Sequence, residues 1–146
     1  MPEALIKRYG AITVPRYTSY PTAADFSGSI GADRYARWLS ALDPAAPVSL
    51  YVHIPYCRTL CLYCGCHARM VIRDEVLANY RRYLEQEIRL VGARLRTAPR
   101  VTRLHWGGGT PSVFEAQGLA SVLEALSEFF VFDAKLEHAI ELDPRT

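Results

Sequence analysis

The stretch Tyr51-Val-His-Ile-Pro-Tyr-Cys57-Arg-Thr-Leu-Cys61-Leu-Tyr-Cys64-Gly-Cys66 carries all four cysteines of the 146-residue chain. Core packing does not concentrate cysteine in this way, whereas thiolates that lie close together on one loop can hold a soft metal centre. The residues before the first cysteine are β-branched and aromatic, which is typical of a buried strand. The sequence therefore predicts a metal site at the end of a strand.

Three interpretations of these cysteines compete. Disulfide pairing is disfavoured because closely spaced cysteines rarely reach the Cα separations and torsion angles of an unstrained bridge, and because the sequence shows no secretory signal. A structural zinc site with four thiolates is a second interpretation, but such sites usually divide their ligands into two separated pairs. An iron–sulfur cluster accepts closely spaced thiolates on one loop, so the spacing favours it.

The spacing Cys57-X3-Cys61-X2-Cys64 resembles the motif of the radical S-adenosylmethionine (radical SAM) superfamily. In that superfamily three cysteines hold three irons of a 4Fe–4S cluster, and the fourth iron binds the amino and carboxylate groups of S-adenosylmethionine (SAM). The resemblance implies that these three cysteines are cluster ligands. An open coordination position is also typical of catalytic rather than structural metal sites.

Longer stretches resemble the oxygen-independent coproporphyrinogen III oxidases (dehydrogenases) of haem biosynthesis, and the chain is similar to the N-terminal portion of that family. Besides the cysteine stretch they are Pro15-Arg-Tyr-Thr-Ser-Tyr-Pro-Thr22, His105-Trp-Gly-Gly-Gly-Thr-Pro111 and Glu141-Leu-Asp-Pro-Arg145. A related branch of the family, associated with haem handling, lacks the last cysteine of the Cys-X-Cys pair. Because Cys66 is present, the oxidase is favoured, and a haem chaperone without oxidase activity is the alternative.

The resemblance implies a reaction as well as a fold. A 5′-deoxyadenosyl radical made from SAM takes a hydrogen from a propionate side chain of coproporphyrinogen III, carbon dioxide leaves and a vinyl group forms. Two propionates are processed to give protoporphyrinogen IX. The cofactors carry the difficult chemistry, and the protein orients them. The implied partners are coproporphyrinogen III and an unidentified electron donor.

The resemblance also assigns SAM contacts to residues outside the three cluster ligands, and these are Tyr51, Tyr63, Gly108, Gly109, Thr110 and Glu141. The glycines have a physical rationale, because a residue without Cβ lets the backbone approach a ligand closely, although a tight turn explains them equally well. A carboxylate at the end of a strand can accept hydrogen bonds from ribose hydroxyls or from the SAM ammonium group, and an exposed charge is the alternative.

Other side chains near the cysteines are candidates for catalysis. Cys66 is a candidate catalytic thiol beside the cluster, and a small buried residue is the alternative. His53 is a weaker candidate that would orient the cluster or the substrate. His67 is either a polar core residue or a proton donor.

Composition excludes several classes of protein. Hydrophobic residues make up 50% of the chain and charged residues 22%, which is typical of a globular protein. A net charge of +2 gives no electrostatic reason to expect nucleic acid. No apolar run reaches the about 18 to 20 residues that span a bilayer. We therefore expect a cytoplasmic protein with no membrane span, and a monomer when full length.

The hydrophobic pattern predicts an α/β fold. Strands are expected over 48–54, over 101–106 and within 134–142, and helices over 31–42, 74–95 and 115–130. This alternation predicts parallel strands joined by right-handed crossovers, with the candidate motifs at the carboxyl ends of the strands. In the helix over 31–42, Tyr35, Trp38, Leu39 and Leu42 recur at helical spacing.

The resemblance implies the first half of a radical SAM (β/α)6 partial barrel. Residues 1–46 are predicted to form an N-terminal arm and a short helix, and residues 47–146 a core truncated after three β/α repeats. We expect the chain to be a fragment of a longer protein and to be inactive alone. Its third strand is expected to expose an unpaired edge, which favours aggregation.

Overall fold

The computed structural model describes residues 21–145 together with Ala4, Lys7 and Arg8. The chain divides into two compact units, Met1–Gly31 and Ala32–Thr146. In the first unit, Ala23–Asp25 form a 3-10 turn in which the amide and the hydroxyl of Thr22 donate to the carboxylate of Asp25 over 3.0 and 2.8 Å. Residues 15–20 of the first family-like motif lie outside the described residues. The boundary predicted between residues 46 and 47 stays a prediction.

The second unit alternates strands and helices. In chain order its elements are α1 (Ala32–Ser40), β1 (Val48–Ile54), β2 (Tyr56–Cys57), β3 (Arg69–Met70), α2 (Asp74–Gly92), β4 (Arg100–Gly108), α3 (Glu115–Ser127) and β5 (Val131–Ile140). A 3-10 turn over Pro111–Phe114 precedes α3. The predicted first strand has the observed bounds, whereas the second and third strands are longer than predicted.

The main sheet is parallel and has the strand order β1-β4-β5. Val52 of β1 lies opposite Trp106 of β4, and Trp106 lies opposite Ile140 of β5. Each connection between these strands contains a helix, as parallel strands require. The predicted α/β fold with parallel strands is confirmed.

One face of the sheet packs against α2 and α3. The buried core consists mainly of apolar side chains from β1, β4 and these two helices, including Val52, Ile54, Leu77, Ile88, Leu104, Trp106, Val122 and Leu126. The two helices are also joined by the Ser121 hydroxyl, which donates to the Glu85 carboxylate over 2.6 Å. The predicted apolar periodicity of α2 and α3 therefore corresponds to real burial.

Two elements are less covered than their sequences suggest. Helix α1 forms where it was predicted, but it has no buried residue, and Tyr35 and Trp38 remain 49% and 52% exposed. Strand β5 has no buried residue either. Periodicity reports that an apolar face exists, and whether another element covers that face depends on the tertiary structure. Among the described residues, no helix has both the length and the apolar character that crossing a bilayer requires.

Candidate functional site

The carboxyl ends of β1 and β4 lie next to each other, and backbone hydrogen bonds join the loops that follow them. The Gly109 amide donates to the Ile54 carbonyl over 2.8 Å, and the Thr110 amide donates to the Tyr56 carbonyl over 2.8 Å. Neighbouring parallel strands end at the same edge of a sheet, so their loops emerge together. The glycine run after β4 is thereby fixed against the start of the cysteine loop.

A two-stranded ladder that the sequence did not predict closes the cysteine loop at its base. Strand β2 pairs in parallel with β3, so that Cys57 lies opposite Met70. The Arg69 amide donates to the Pro55 carbonyl over 2.8 Å, and the Val71 amide donates to the Cys57 carbonyl over 2.9 Å. Cys57 is consequently held in the closed base of the loop, where it is buried.

The four cysteines surround one cavity. Cys57 is buried, Cys61 is half-buried, and Cys64 and Cys66 are exposed, and all four are free thiols. The cavity has a volume of about 190 Å³, and besides the cysteines its lining includes Tyr63, Gly108, Gly109, Thr110, Leu142 and Asp143. The structure thus brings the cysteine motif, the glycine run and the segment after β5 to one place.

The donor set fits an iron–sulfur cluster. A multi-iron cluster spreads its thiolates over several irons and needs space between them. Free thiols distributed around one cavity meet that requirement.

Glu141 lies directly after β5, and its carboxylate contacts the glycine run. One carboxylate oxygen accepts the Gly108 amide over 3.1 Å, and the other lies 3.2 Å from Nε2 of His105. The Glu141 amide donates to the Trp106 carbonyl over 3.0 Å, which anchors the backbone. About half of the carboxylate side chain remains exposed, so a ligand can reach it. The contact of His105 with Glu141 does not follow from the motif in which His105 lies.

The backbone of the glycine run lies very close to the cysteine loop, as expected where residues lack a Cβ. Gly108 has a φ of +115°, a backbone conformation that residues other than glycine rarely adopt. A Cβ on Gly109 would lie 2.6 Å from the Tyr56 carbonyl oxygen and 2.9 Å from Sγ of Cys57. The predicted SAM contacts of both glycines stay predictions.

Tyr51 and His53 lie on β1 beside the glycine run. The Tyr51 hydroxyl and Nδ1 of His53 are 3.0 Å apart, which is a hydrogen-bond distance. Burial, followed by the charges of Glu141 and Cys66, raises the pKa of Tyr51. The Tyr51 hydroxyl and the Glu141 carboxylate both lie beside Gly107, since a Cβ on that glycine would be 2.9 Å from each of them.

Cys66 is the candidate catalytic thiol of the sequence analysis. Partial shielding from water raises its pKa, and Cys64, through its charge and a hydrogen bond, and then Glu141 and Cys57 raise it further. Tyr63, which is 90% exposed, stands at the mouth of the cavity. His67 lies on the same loop, but its neighbours Cys66 and Ala68 form the cavity lining there.

The segment after Glu141 supplies contacts that sequence reasoning missed. The guanidinium of Arg145 donates to Sγ of Cys61 and to the Thr59 carbonyl, each over 3.4 Å. Arg145 also donates to the Asp143 carboxylate, and these hydrogen bonds lower the pKa of Asp143 to about 2. Both residues belong to the quoted Glu-Leu-Asp-Pro-Arg motif, but only the fold reveals that this motif reaches the cysteine loop.

Similar proteins are found among curated sequences, although no family model matches the chain. The oxygen-independent coproporphyrinogen III oxidase of Bradyrhizobium diazoefficiens is 46% identical over 138 residues, which are 94% of this chain and 31% of the relative. The enzyme of the same name from Escherichia coli K12 is 42% identical over 142 residues, which are 97% of this chain and 30% of the relative.

A solved structure agrees with these relatives. The coproporphyrinogen III oxidase from Escherichia coli, described as a radical SAM enzyme, superposes with a TM-score of 0.81 at 40% identity, over 97% of this chain and 30% of that one. The chain thus spans about 30% of the length of the proteins that it matches. The predicted resemblance is confirmed: over nearly its whole length the chain is similar to oxygen-independent coproporphyrinogen III oxidases, one of which is described as a radical SAM enzyme.

Proposed function

We propose that the protein takes part in the oxygen-independent oxidative decarboxylation of coproporphyrinogen III to protoporphyrinogen IX, with a 4Fe–4S cluster and SAM as cofactors. The observation that carries the proposal is the single cavity in which four free thiols meet the glycine run and the segment after β5. The names of the relatives supply the substrate and its oxygen-independent oxidation, and the resemblance of the motifs implies the decarboxylation to protoporphyrinogen IX. This chain corresponds to the part of the enzyme that binds the cluster and begins the SAM site.

Cys57, Cys61 and Cys64 are the proposed cluster ligands. When bound, the cluster would supply one electron to the sulfonium group of SAM. The β2–β3 ladder holds Cys57 at the base of the loop, and the turn in which the Cys64 amide donates to the Cys61 carbonyl over 3.1 Å fixes the spacing of the other two. The loop thus presents three thiols from one short, closed segment.

The proposed SAM contacts lie along the rim formed by the ends of β1, β4 and β5. Glu141 has a half-exposed carboxylate that can accept hydrogen bonds from an ammonium or a ribose hydroxyl. Tyr63 at the cavity mouth is exposed enough to contact an adenine. Tyr51, which is also exposed, lies on β1. Gly108, Gly109 and Thr110 complete the proposed set. Further contacts would come from parts of the enzyme beyond this chain.

Cys66 is the proposed catalytic residue, because its exposed thiol lines the same cavity as the three proposed cluster ligands. The names of the relatives favour the oxidase over the haem chaperone, and a haem titration distinguishes the two. The same proposal includes an unidentified electron donor, a monomeric full-length protein, a cytoplasmic location and a domain boundary after residue 46, all of which rest on the sequence. It also includes no nucleic-acid partner, because the net charge is only +2.

The first experiment separates cluster ligands from the fourth cysteine. The chain and its Cys61→Ala and Cys66→Ser variants are reconstituted anaerobically with iron and sulfide. We expect the unmodified chain and Cys66→Ser to take up a cluster, and Cys61→Ala to lose it, because Cys61 is a proposed ligand and Cys66 is not. Bound iron, acid-labile sulfide and visible absorption measure the outcome. Unchanged iron and absorption in Cys61→Ala would refute the ligand assignment.

A further inference from the structure

A buried side-chain hydrogen bond links the glycine loop to one proposed cluster ligand. The hydroxyl of Thr110 donates to Sγ of Cys57 over 3.3 Å. Both residues are buried, at 6% and 7% exposure, and Thr110 is the buried polar residue among those that the structure describes. Sulfur is a weak acceptor as a thiol and a much stronger one as a thiolate, so a buried hydroxyl aimed at it is suited to a metal-bound sulfur.

The remaining polar groups of Thr110 are already engaged with the protein. Its amide donates to the Tyr56 carbonyl over 2.8 Å, and its carbonyl accepts the Val113 amide over 3.0 Å. The residue before it, Gly109, has no Cβ to hold the two loops apart. The backbone of Thr110 is therefore fixed from both sides, and its hydroxyl is directed at Cys57 by the fold.

We propose that Thr110 is a positioning residue that donates a hydrogen bond to the cluster-bound thiolate of Cys57 and thereby raises the reduction potential of the cluster. The inference rests on the proposed function, because it requires Cys57 to be a ligand. A hydrogen bond to a ligand sulfur withdraws electron density and stabilises the reduced state, which carries one more electron and hence more negative charge. No proton is transferred: the hydroxyl keeps its hydrogen while the cluster accepts one electron.

This role differs from the SAM contact that the resemblance assigns to Thr110. A contact with SAM would make the threonine matter for SAM affinity, whereas the hydrogen bond to Cys57 makes it matter for the cluster before SAM is present. The two roles therefore separate in a measurement on the cluster-loaded protein without SAM.

The test uses three variants of the chain, reconstituted anaerobically and studied without SAM. Thr110→Val keeps the shape of the side chain and removes the hydroxyl, Thr110→Ser keeps the hydroxyl, and Thr102→Val makes the same change at the far end of β4. The cluster is reduced stepwise with dithionite, which acts here as a one-electron reductant. Electron paramagnetic resonance monitors the reduced cluster at each potential and gives the midpoint potential. Resonance Raman spectra in H2O and D2O report the Fe–S stretching modes.

We expect Thr110→Val to shift the midpoint potential to a more negative value and to lose the deuterium sensitivity of one Fe–S mode. Thr110→Ser and Thr102→Val should keep both properties of the unmodified chain.

Equal potentials and equal deuterium shifts in Thr110→Val and the unmodified chain would overturn the inference while leaving the proposed function intact. If Thr110→Val does not take up a cluster, Thr110→Ala replaces it in the comparison. Fe–S stretching modes of the unmodified chain that do not shift in D2O also overturn the inference. A chain that takes up no cluster at all overturns the proposed function and this inference with it.

Discussion

At Gly109, the absence of a Cβ brings the backbone of one loop against a sulfur atom of another. A methyl group there would lie 2.6 Å from the Tyr56 carbonyl oxygen and 2.9 Å from Sγ of Cys57. The nearest obstacle is backbone, which cannot rotate away, so the two loops would have to separate. The same separation would break the hydrogen bond between Thr110 and Cys57.

We therefore expect Gly109→Ala to lower the free energy of unfolding by about 1 to 3 kcal/mol, the cost typical of an overpacked site. Urea denaturation followed by circular dichroism measures the change. Gly28→Ala is the matched control, because a Cβ on Gly28 meets no atom within 4 Å. Equal stability of Gly109→Ala and Gly28→Ala would show that the loops are not in the contact described.

The pair formed by Asp143 and Arg145 gives a prediction about pH. Hydrogen bonds from Arg145 lower the pKa of Asp143 from 3.8 to about 2. Because the folded value lies below the unfolded one, the pair stabilises the folded chain above about pH 4, and this contribution is lost as the pH falls from 3.8 towards 2. We expect Arg145→Gln to return the pKa of Asp143 towards 3.8, as measured by carboxyl-carbon NMR. An Asp143 that titrates at the same pH in both proteins would contradict the pairing.

A tyrosine hydroxyl of helix α2 forms a hydrogen bond with the end of β1, just before the cysteine loop. The Tyr80 hydroxyl donates to the His53 carbonyl over 2.8 Å, and its ring lies edge-on to that of Tyr56, 5.3 Å away between centroids. A typical hydrogen bond within a protein contributes about 0.5 to 1.5 kcal/mol net to stability. The end of β1 is thus tied to α2 as well as to β4.

Tyr80→Phe should accordingly lower the free energy of unfolding by about 1 kcal/mol, since the ring packing stays and the hydroxyl is lost. Tyr83→Phe provides the control on the same helix, because Tyr83 is exposed and its ring contacts only the side chain of Arg82 among the interactions described. That change should stay within about 0.5 kcal/mol. Thermal and urea denaturation give both values, and equal effects of the two substitutions would argue against the tie.

The elements that could be predicted are those whose burial leaves a periodic pattern. Helices α2 and α3 and strand β1 carry such patterns, because one face of each packs on the core. The β2–β3 ladder has two residues in each strand, which is too short for a period. Helix α1 shows the opposite case, since its apolar stripe predicts the helix but nothing in the stripe says whether another element covers it.

At the scale of the whole molecule, the candidate site is assembled from segments far apart in sequence. The cysteine spacing and the glycine run could be recognised from the sequence, because each is local. The contact of Arg145 with Cys61 and the contact of Glu141 with Gly108 join residues that are 84 and 33 positions apart. Only the register of three parallel strands brings those segments to one edge, so neither contact follows from the local sequence.

The same sheet ends at a strand with little cover. Among the described residues β5 pairs with β4 alone, none of its residues is buried, and Val131 at its start is exposed. An uncovered edge presents unpaired amides and carbonyls to other chains, and a charged residue there opposes pairing. The 146-residue chain should therefore associate as its concentration rises.

We expect Val131→Lys to weaken this association, as measured by sedimentation velocity over a range of concentrations. Leu90→Lys is the control, because Leu90 is an exposed apolar residue, at 69% against 55% for Val131, that lies on α2 and not on β5. Both substitutions add one positive charge, so a general effect of net charge would change the two proteins alike. If the chain stays monomeric at all concentrations, or if Leu90→Lys weakens association as much as Val131→Lys does, the β5 edge is not the surface through which chains meet.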